Sequence, residues 1–192
     1  MKKIGLFGGT FDPVHLGHVK IAESFLRSSA IEELWVLLTP FPPHKFEKDH
    51  AVYTQRFKML TKAFEDISCK ISTIENELPK PSFTYRTIQY LKAKHPNHQF
   101  YFCMGEDSLQ KFDQWKHYED ILAEADLLGA RRPNADHSSV KKIILSQTLF
   151  VEHEPVQISS TEVKENISNL DFLKEALPKN VLSFIDKNKL YR

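Results

Sequence analysis

The sequence predicts an α/β fold: a doubly wound, mostly parallel sheet with helices on both faces and a helical segment late in the chain. Three observations predict it. Short apolar runs alternate with amphipathic segments along the chain, the pattern of repeated βα units. Some runs, such as Leu34-Trp35-Val36-Leu37-Leu38, are apolar without a break, as in parallel strands covered on both faces. The first run, Ile4 to Phe7, ends in Gly8-Gly9, which reads as a buried strand entering a tight turn.

The elements follow in order. A helix is expected from about Leu16, with Val19, Ala22, Phe25 and Leu26 on one face. Beyond the strand at Leu34, Tyr53 to Phe64 reads as a helix, Cys69 to Ile74 as a strand, Thr84 to Lys94 as a helix and Phe100 to Met104 as a strand. Tyr118 to Ala123 reads as helical, and Asp126 to Ala130 and Thr148 to Glu152 as strands. Helical segments near Thr161 to Ile167 and Asn180 to Asn188 complete the pattern. One domain spanning 1–192 is expected, its last part (about 159–192) packed on the sheet. Three connections are longer than the fold requires: Thr39 to Asp49, Glu77 to Phe83 and Arg131 to Val140. In such sheets ligands sit at the carboxyl ends of the strands.

Composition narrows the function. The chain has 192 residues, enough to bury a core without disulfides. With 26 Lys and Arg against 25 Asp and Glu, its formal net charge is +1. That is no field for a nucleic-acid polymer, although a small anionic ligand needs only a few cations. Cys69 and Cys103 both lie in strand-like apolar runs and read as small buried hydrophobes, with no spacing for a disulfide or a metal. No apolar run is long enough to span a membrane, and the segment after Met1-Lys2-Lys3 is too short and glycine-broken for a signal peptide. A cytoplasmic protein is expected.

The segment Gly8-Gly9-Thr10-Phe11-Asp12-Pro13-Val14-His15-Leu16-Gly17-His18 follows a strand and opens a helix. Phosphates bind at such places, because the free N–H groups and the dipole of a helix N-terminus favour anions. The glycines permit close backbone approach. His15 and His18, three apart, share one face. Two imidazoles can donate to phosphate oxygens and stabilise charge growing on phosphorus. Gly17 is expected to leave that face open to a nucleotide. Neither common glycine fingerprint of nucleotide folds is present.

This segment resembles the His-x-Gly-His signature of the nucleotidyltransferase superfamily. The resemblance implies a Rossmann-like sheet and in-line transfer of a nucleotidyl group, with pyrophosphate leaving and no covalent enzyme intermediate. Late in the chain, Ile158-Ser159-Ser160-Thr161-Glu162-Val163-Lys164 is similar to the superfamily's second phosphate signature, with Lys164 where Arg is usual. Lysine keeps the charge and loses the planar fork. Read locally, Ser159 and Glu162 also form a capping box at a helix start. The resemblance implies ATP contacts from Gly8, Gly9, Thr10, Phe11, Gly17, Gly105, Asp107, Ser159, Ser160, Thr161 and Lys164.

Further elements, Pro42-Pro43-His44-Lys45, Pro81-Ser82-Phe83-Thr84, Met104-Gly105-Glu106-Asp107-Ser108, Trp115-Lys116 and Arg131-Arg132-Pro133, are similar to those of the bacterial nicotinate-nucleotide adenylyltransferases. They stand in that family's order over nearly the whole chain. The resemblance implies transfer of AMP from ATP to nicotinate mononucleotide in NAD biosynthesis. Trp115 would stack on the pyridinium ring, and Thr84 at a helix start would meet its carboxylate. Lys45 and Arg132 would meet phosphates, and His44 completes the acceptor set. Asp107 would accept hydrogen bonds from the ATP ribose. His15, His18 and Lys45 are the expected catalytic residues. Mg2+ is expected as the counter-ion of ATP, held by phosphates and water rather than by a protein cage.

Two further departures stand in the acceptor segment. Phe83 replaces a usual tyrosine, and Arg86 replaces an aspartate, reversing a charge beside the expected pocket. Arg86 leaves open the same chemistry on nicotinamide mononucleotide, and Arg86 with Lys164 leaves open a catalytically impaired nucleotide-binding protein; another phosphorylated acceptor within the superfamily is a further alternative. Homo-oligomerisation is also left open.

Overall fold

Each strand sends alternate side chains to opposite faces, and the structure buries both sets. From β1 (Lys3–Gly9), Ile4 and Leu6 enter one core and Phe7 the other; from β2 (Glu33–Leu38), Trp35 and Leu37 oppose Leu34, Val36 and Leu38. From β4 (Gln99–Gly105), Phe100, Phe102 and Met104 oppose Tyr101 and Cys103. This double burial explains the unbroken apolar runs. The computed structural model describes residues 1–41, 51–132, 135–154 and 156–192. The expected acceptor residues His44 and Lys45 lie outside the described residues.

Among the described residues six strands form one sheet in the order β3-β2-β1-β4-β5-β6, every neighbouring pair parallel. The remaining strands are β3 (Lys70–Ser72), β5 (Asp126–Arg131) and β6 (Thr148–Glu152). The chain runs outward from β1 to one edge, then crosses back to β4 and runs to the other. The order reverses between β1 and β4, so the ligand crevice belongs beyond the ends of those two strands. The architecture is Rossmann-like, as the sequence predicted.

Against one face pack α1 (Leu16–Arg27), α2 (Tyr53–Ala63), α8 (Leu170–Ala176) and α9 (Lys179–Lys187). Against the other pack α3 (Thr84–Lys94), α5 (Tyr118–Glu124) and α6 (Lys142–Ser146). Two short helices, α4 (Glu106–Gln110) and α7 (Ser160–Glu165), lie close to the crevice. No helix among the described residues is long and apolar enough to cross a membrane.

The structure corrects several expectations. The strand read from Cys69 to Ile74 shrinks to three residues, and Ile74–Glu77 forms a 3₁₀ turn. That turn buries Glu75, whose Oε1 accepts from Thr87 of α3 at 3.0 Å. Cys69 falls just outside the strand and is only half-buried, unlike Cys103 in the core. The helices α4, α6 and α8 have five to seven residues, too short for a 3.6-residue repeat to declare itself.

Candidate active site at the switch point of the sheet

The His15 and His18 rings face each other with centroids 3.7 Å apart. The His15 backbone N–H donates to His18 Nδ1 at 3.2 Å. In a neutral His18 ring the proton is therefore on Nε2, which makes Nε2 the donor atom. His15 is only 6% exposed, and burial lowers its pKa to about 4, so it is a neutral imidazole at physiological pH. Its buried Nδ1 has no hydrogen-bond partner among the described residues. The space over Gly17, expected to lie open to a nucleotide, is taken by this ring. A Cβ at Gly17 would stand 2.9 Å from His15 Nδ1.

Phe11, expected among the ATP contacts, has its ring buried. Its backbone lies in the left-handed region (φ 47°), which folds the ring back against Gly9. The side chain is 2% exposed and edge-on to both Phe7 and His18. Only the Phe11 backbone can meet a ligand; the ring is a floor beneath His18. Gly9 is needed for this, since a Cβ there would stand 2.9 Å from the Phe11 ring.

The second motif docks directly on the first. Ser159 caps α7: its Oγ accepts from the Glu162 N–H at 3.1 Å, while the Glu162 carboxylate accepts from the Ser159 N–H and hydroxyl, both at 2.8 Å. The Ser160 hydroxyl donates to the Pro13 carbonyl at 2.9 Å, across 147 residues of sequence. Lys164 Nζ lies 3.6 Å from Asp12 Oδ2. Both serine hydroxyls, expected to hold phosphate, are thus engaged within the protein, one shaping α7 and one joining the motifs.

Two residues missed by the sequence reading complete this corner. Arg56 of α2 is 4% exposed and donates to the carbonyls of Ala51, Thr10, Thr39 and Pro40. It clamps the turn after β1 to the segment after β2. The planar five-donor fork of arginine suits this convergence of carbonyls. Its signal was a cation at the centre of an apolar face, between Tyr53 and Leu60. The other is Tyr191, whose hydroxyl donates to Asp12 Oδ1 at 2.6 Å. No local pattern marks it.

The residues about the start of α3 include the expected acceptor residue Thr84 and the departures Phe83 and Arg86. Thr84 is the first residue of α3, as expected. Arg86 donates from Nε to the Tyr85 hydroxyl at 3.0 Å and from Nη1 to the Pro79 carbonyl at 3.4 Å. Its guanidinium lies over Phe83, 5.4 Å from the ring centroid, and Lys116 Nζ lies over the same ring at 4.7 Å. Trp115 packs against Phe102 and Phe112, with centroids 5.6 and 5.5 Å away, and is half-buried. His117 (φ 56°) caps α5 and meets the Tyr85 ring at 4.5 Å.

At the end of β4, Gly105 caps α4, followed by Glu106 and Asp107. Asp107 accepts from Arg132 Nη2 at 2.8 Å. Arg132, grouped by sequence with the acceptor, therefore sits with Asp107, grouped with ATP. Parallel pairing of β4 with β5 is the reason, since it brings their following residues together. Glu106 is buried and bonded to His137 at 2.5 Å, which ties α4 to the connection after β5.

A parallel sheet with the two motifs docked together at its switch point is the arrangement expected of a nucleotidyltransferase. The Cytidylyltransferase-like family matches residues 6–166. A probable nicotinate-nucleotide adenylyltransferase of Flavobacterium johnsoniae is 35% identical over 191 residues, covering 99% of each chain. The nicotinate-nucleotide adenylyltransferase of Bacillus subtilis is 31% identical over 192 residues, covering 100% of this chain and 99% of that one. The solved Plasmodium falciparum nicotinic acid mononucleotide adenylyltransferase, complexed with NaAD, superposes with a TM-score of 0.84 at 21% identity. It covers 100% of this chain and 98% of that one, and its likeness speaks to the fold. The chain belongs to the nicotinate-nucleotide adenylyltransferase family.

Proposed function

We propose that this enzyme transfers AMP from ATP to nicotinate mononucleotide, releasing pyrophosphate and forming deamido-NAD in NAD biosynthesis. The observation that carries the reading is the docking of the two phosphate motifs at the switch point, through Ser160 on Pro13 and Lys164 on Asp12. The family supplies the acceptor. The Plasmodium falciparum enzyme complexed with APC, with a TM-score of 0.81, and the same enzyme complexed with NaAD support ligands on this fold.

The acceptor phosphate is already ionised at neutral pH, so displacement at the α-phosphorus of ATP needs no general base. Catalysis is then positioning and charge stabilisation. His18 donates from Nε2 to the transferring phosphate, and the neutral His15 holds it in place. Lys164 neutralises charge on the leaving pyrophosphate. Thr84 and the N–H groups at the start of α3 receive the ring carboxylate, with Trp115 beside the ring. Asp107 and Arg132 border the nucleoside end of ATP. Magnesium would serve as the counter-ion of ATP, held chiefly by phosphate oxygens and water, and would neutralise phosphate charge. The Asp12 and Asp107 carboxylates are already engaged by Lys164, Tyr191 and Arg132. With these substrates the enzyme works in the cytoplasm.

Pyrophosphate release with ATP and either nicotinate or nicotinamide mononucleotide tests the reading. Turnover is expected to be faster with the acid form. Equal rates would remove the ring preference, and release with neither acceptor would overturn the proposal.

A further inference from the structure

Tyr191 lies 179 residues from Asp12 in sequence, yet the two share a 2.6 Å hydrogen bond. The backbone at Tyr191 and at Lys189 is in the left-handed region (φ 62° and 51°). Side chains with a Cβ disfavour that conformation, and it persists where surrounding structure demands it. Here the demand is visible, because the bend after α9 delivers the phenol to a buried carboxylate. Burial, and next the Asp12 charge, raise the pKa of the phenol well above its ordinary value, so it remains a donor.

Asp12 is the hub between the two phosphate motifs. It sits in the turn between β1 and α1, accepts from the Ala51 N–H at 3.1 Å, and faces Lys164 of α7 at 3.6 Å. The Asp12 side chain is fully buried, whereas that of Lys164 is 24% exposed and reaches the site. A buried carboxylate that loses a donor draws more heavily on its remaining partners. Of Tyr191, the Ala51 N–H and Lys164, the one with freedom to respond is the partly exposed lysine.

We propose that Tyr191 is a positioning residue for the ATP triphosphate. Its hydroxyl shares the Asp12 charge, so that Lys164 stays poised toward phosphate and the Thr10–His15 turn keeps its shape. The proposal rests on reading these two segments as the ATP site. Tyr191 touches no substrate, and its effect passes through Asp12.

The test is a double-mutant cycle of Tyr191→Phe and Asp12→Asn, read by calorimetric titration with ATP and by steady-state kinetics. Tyr191→Phe keeps the ring and removes one oxygen. ATP affinity is expected to fall about tenfold, with the KM for ATP rising in step and the KM for nicotinate mononucleotide unchanged. In the Asp12→Asn background the same change is expected to cost less than about twofold, the signature of action through the carboxylate. Wild-type ATP affinity in Tyr191→Phe, an equal loss in both backgrounds, or an equal rise in both KM values would overturn the proposal. Titration with ATP alone needs no acceptor. A wild-type protein that binds ATP but gives no pyrophosphate with nicotinate mononucleotide therefore refutes the acceptor assignment and leaves the cycle readable.

Discussion

The two ends of the site are built differently. The phosphate corner is buried and cross-linked over long sequence distances. Arg56 reaches Thr10 across 46 residues, Ser160 reaches Pro13 across 147, and Tyr191 reaches Asp12 across 179. The acceptor corner is half-exposed and built largely from sequence neighbours. Arg86 bonds Tyr85 and Pro79, and Phe83 lies beside Tyr85. Donors aimed at developing charge are most effective when fixed in advance in a water-poor setting. The corner proposed to handle the reacting phosphates has that construction. The corner proposed to select a ring carries a half-buried Arg86 and an exposed Lys116 on the Phe83 face, where substitutions are expected to shift preference with little effect on the fold.

The comparison can be broken most directly at His18. His18→Ala is expected to lower turnover about a thousandfold while leaving the thermal midpoint close to wild type, measured by pyrophosphate release and thermal melting. A near-wild-type rate would mean that the phosphate corner is a binding scaffold alone.

The burial of His15 gives the next largest effect. Its folded-state pKa of about 4 lies below the ordinary 6.5. As pH falls, the unfolded chain takes up this proton first, so stability drops between pH 6.5 and about 4 and levels off below that. The shift corresponds to about 3 kcal/mol. Denaturant midpoints from pH 7.5 to 4 in wild type and His15→Gln isolate the contribution. Parallel profiles would show that His15 is not held neutral by the fold.

The smallest effect is expected in the acceptor corner. Arg86→Asp restores the negative charge usual in the family and removes a cation from the Phe83 face. Specificity for the acid-ring acceptor, relative to the amide, is expected to fall about three- to tenfold, with stability changed by less than about 1 kcal/mol. The ratio of the two kcat/KM values measures it. A hundredfold change would make this corner as tightly determined as the other.

Much of the fold was legible because its signals are local. α3 runs from Thr84 to Lys94 and β6 from Thr148 to Glu152, the boundaries read from sequence. The capping box of Ser159 and Glu162 formed as read, since its partners are three residues apart. The site was partly legible for the same reason: His15 and His18 share a face because three residues of helix bring them together. The burial of the Phe11 ring was not legible, because a motif position does not reveal which way a left-handed residue throws its side chain. The pairing of Arg132 with Asp107 was not legible because the two follow neighbouring strands. Arg56 was legible in principle, as a cation on an apolar face, but only packing shows that four carbonyls converge on it.

The sequence by itself determined the alternation of strands and helices and the family, and it pointed to the turn after β1 as a place for phosphate. These depend on backbone preferences, side-chain periodicity and residue spacing within a few positions of one another. Tertiary structure alone decided that His15 is neutral, that the Ser160 hydroxyl is engaged by Pro13, and that Asp12 joins Lys164, Tyr191 and the His15 turn. Those outcomes depend on which groups lose water together. Desolvation is set by segments that meet across well over a hundred residues, so no local window of the chain contains it.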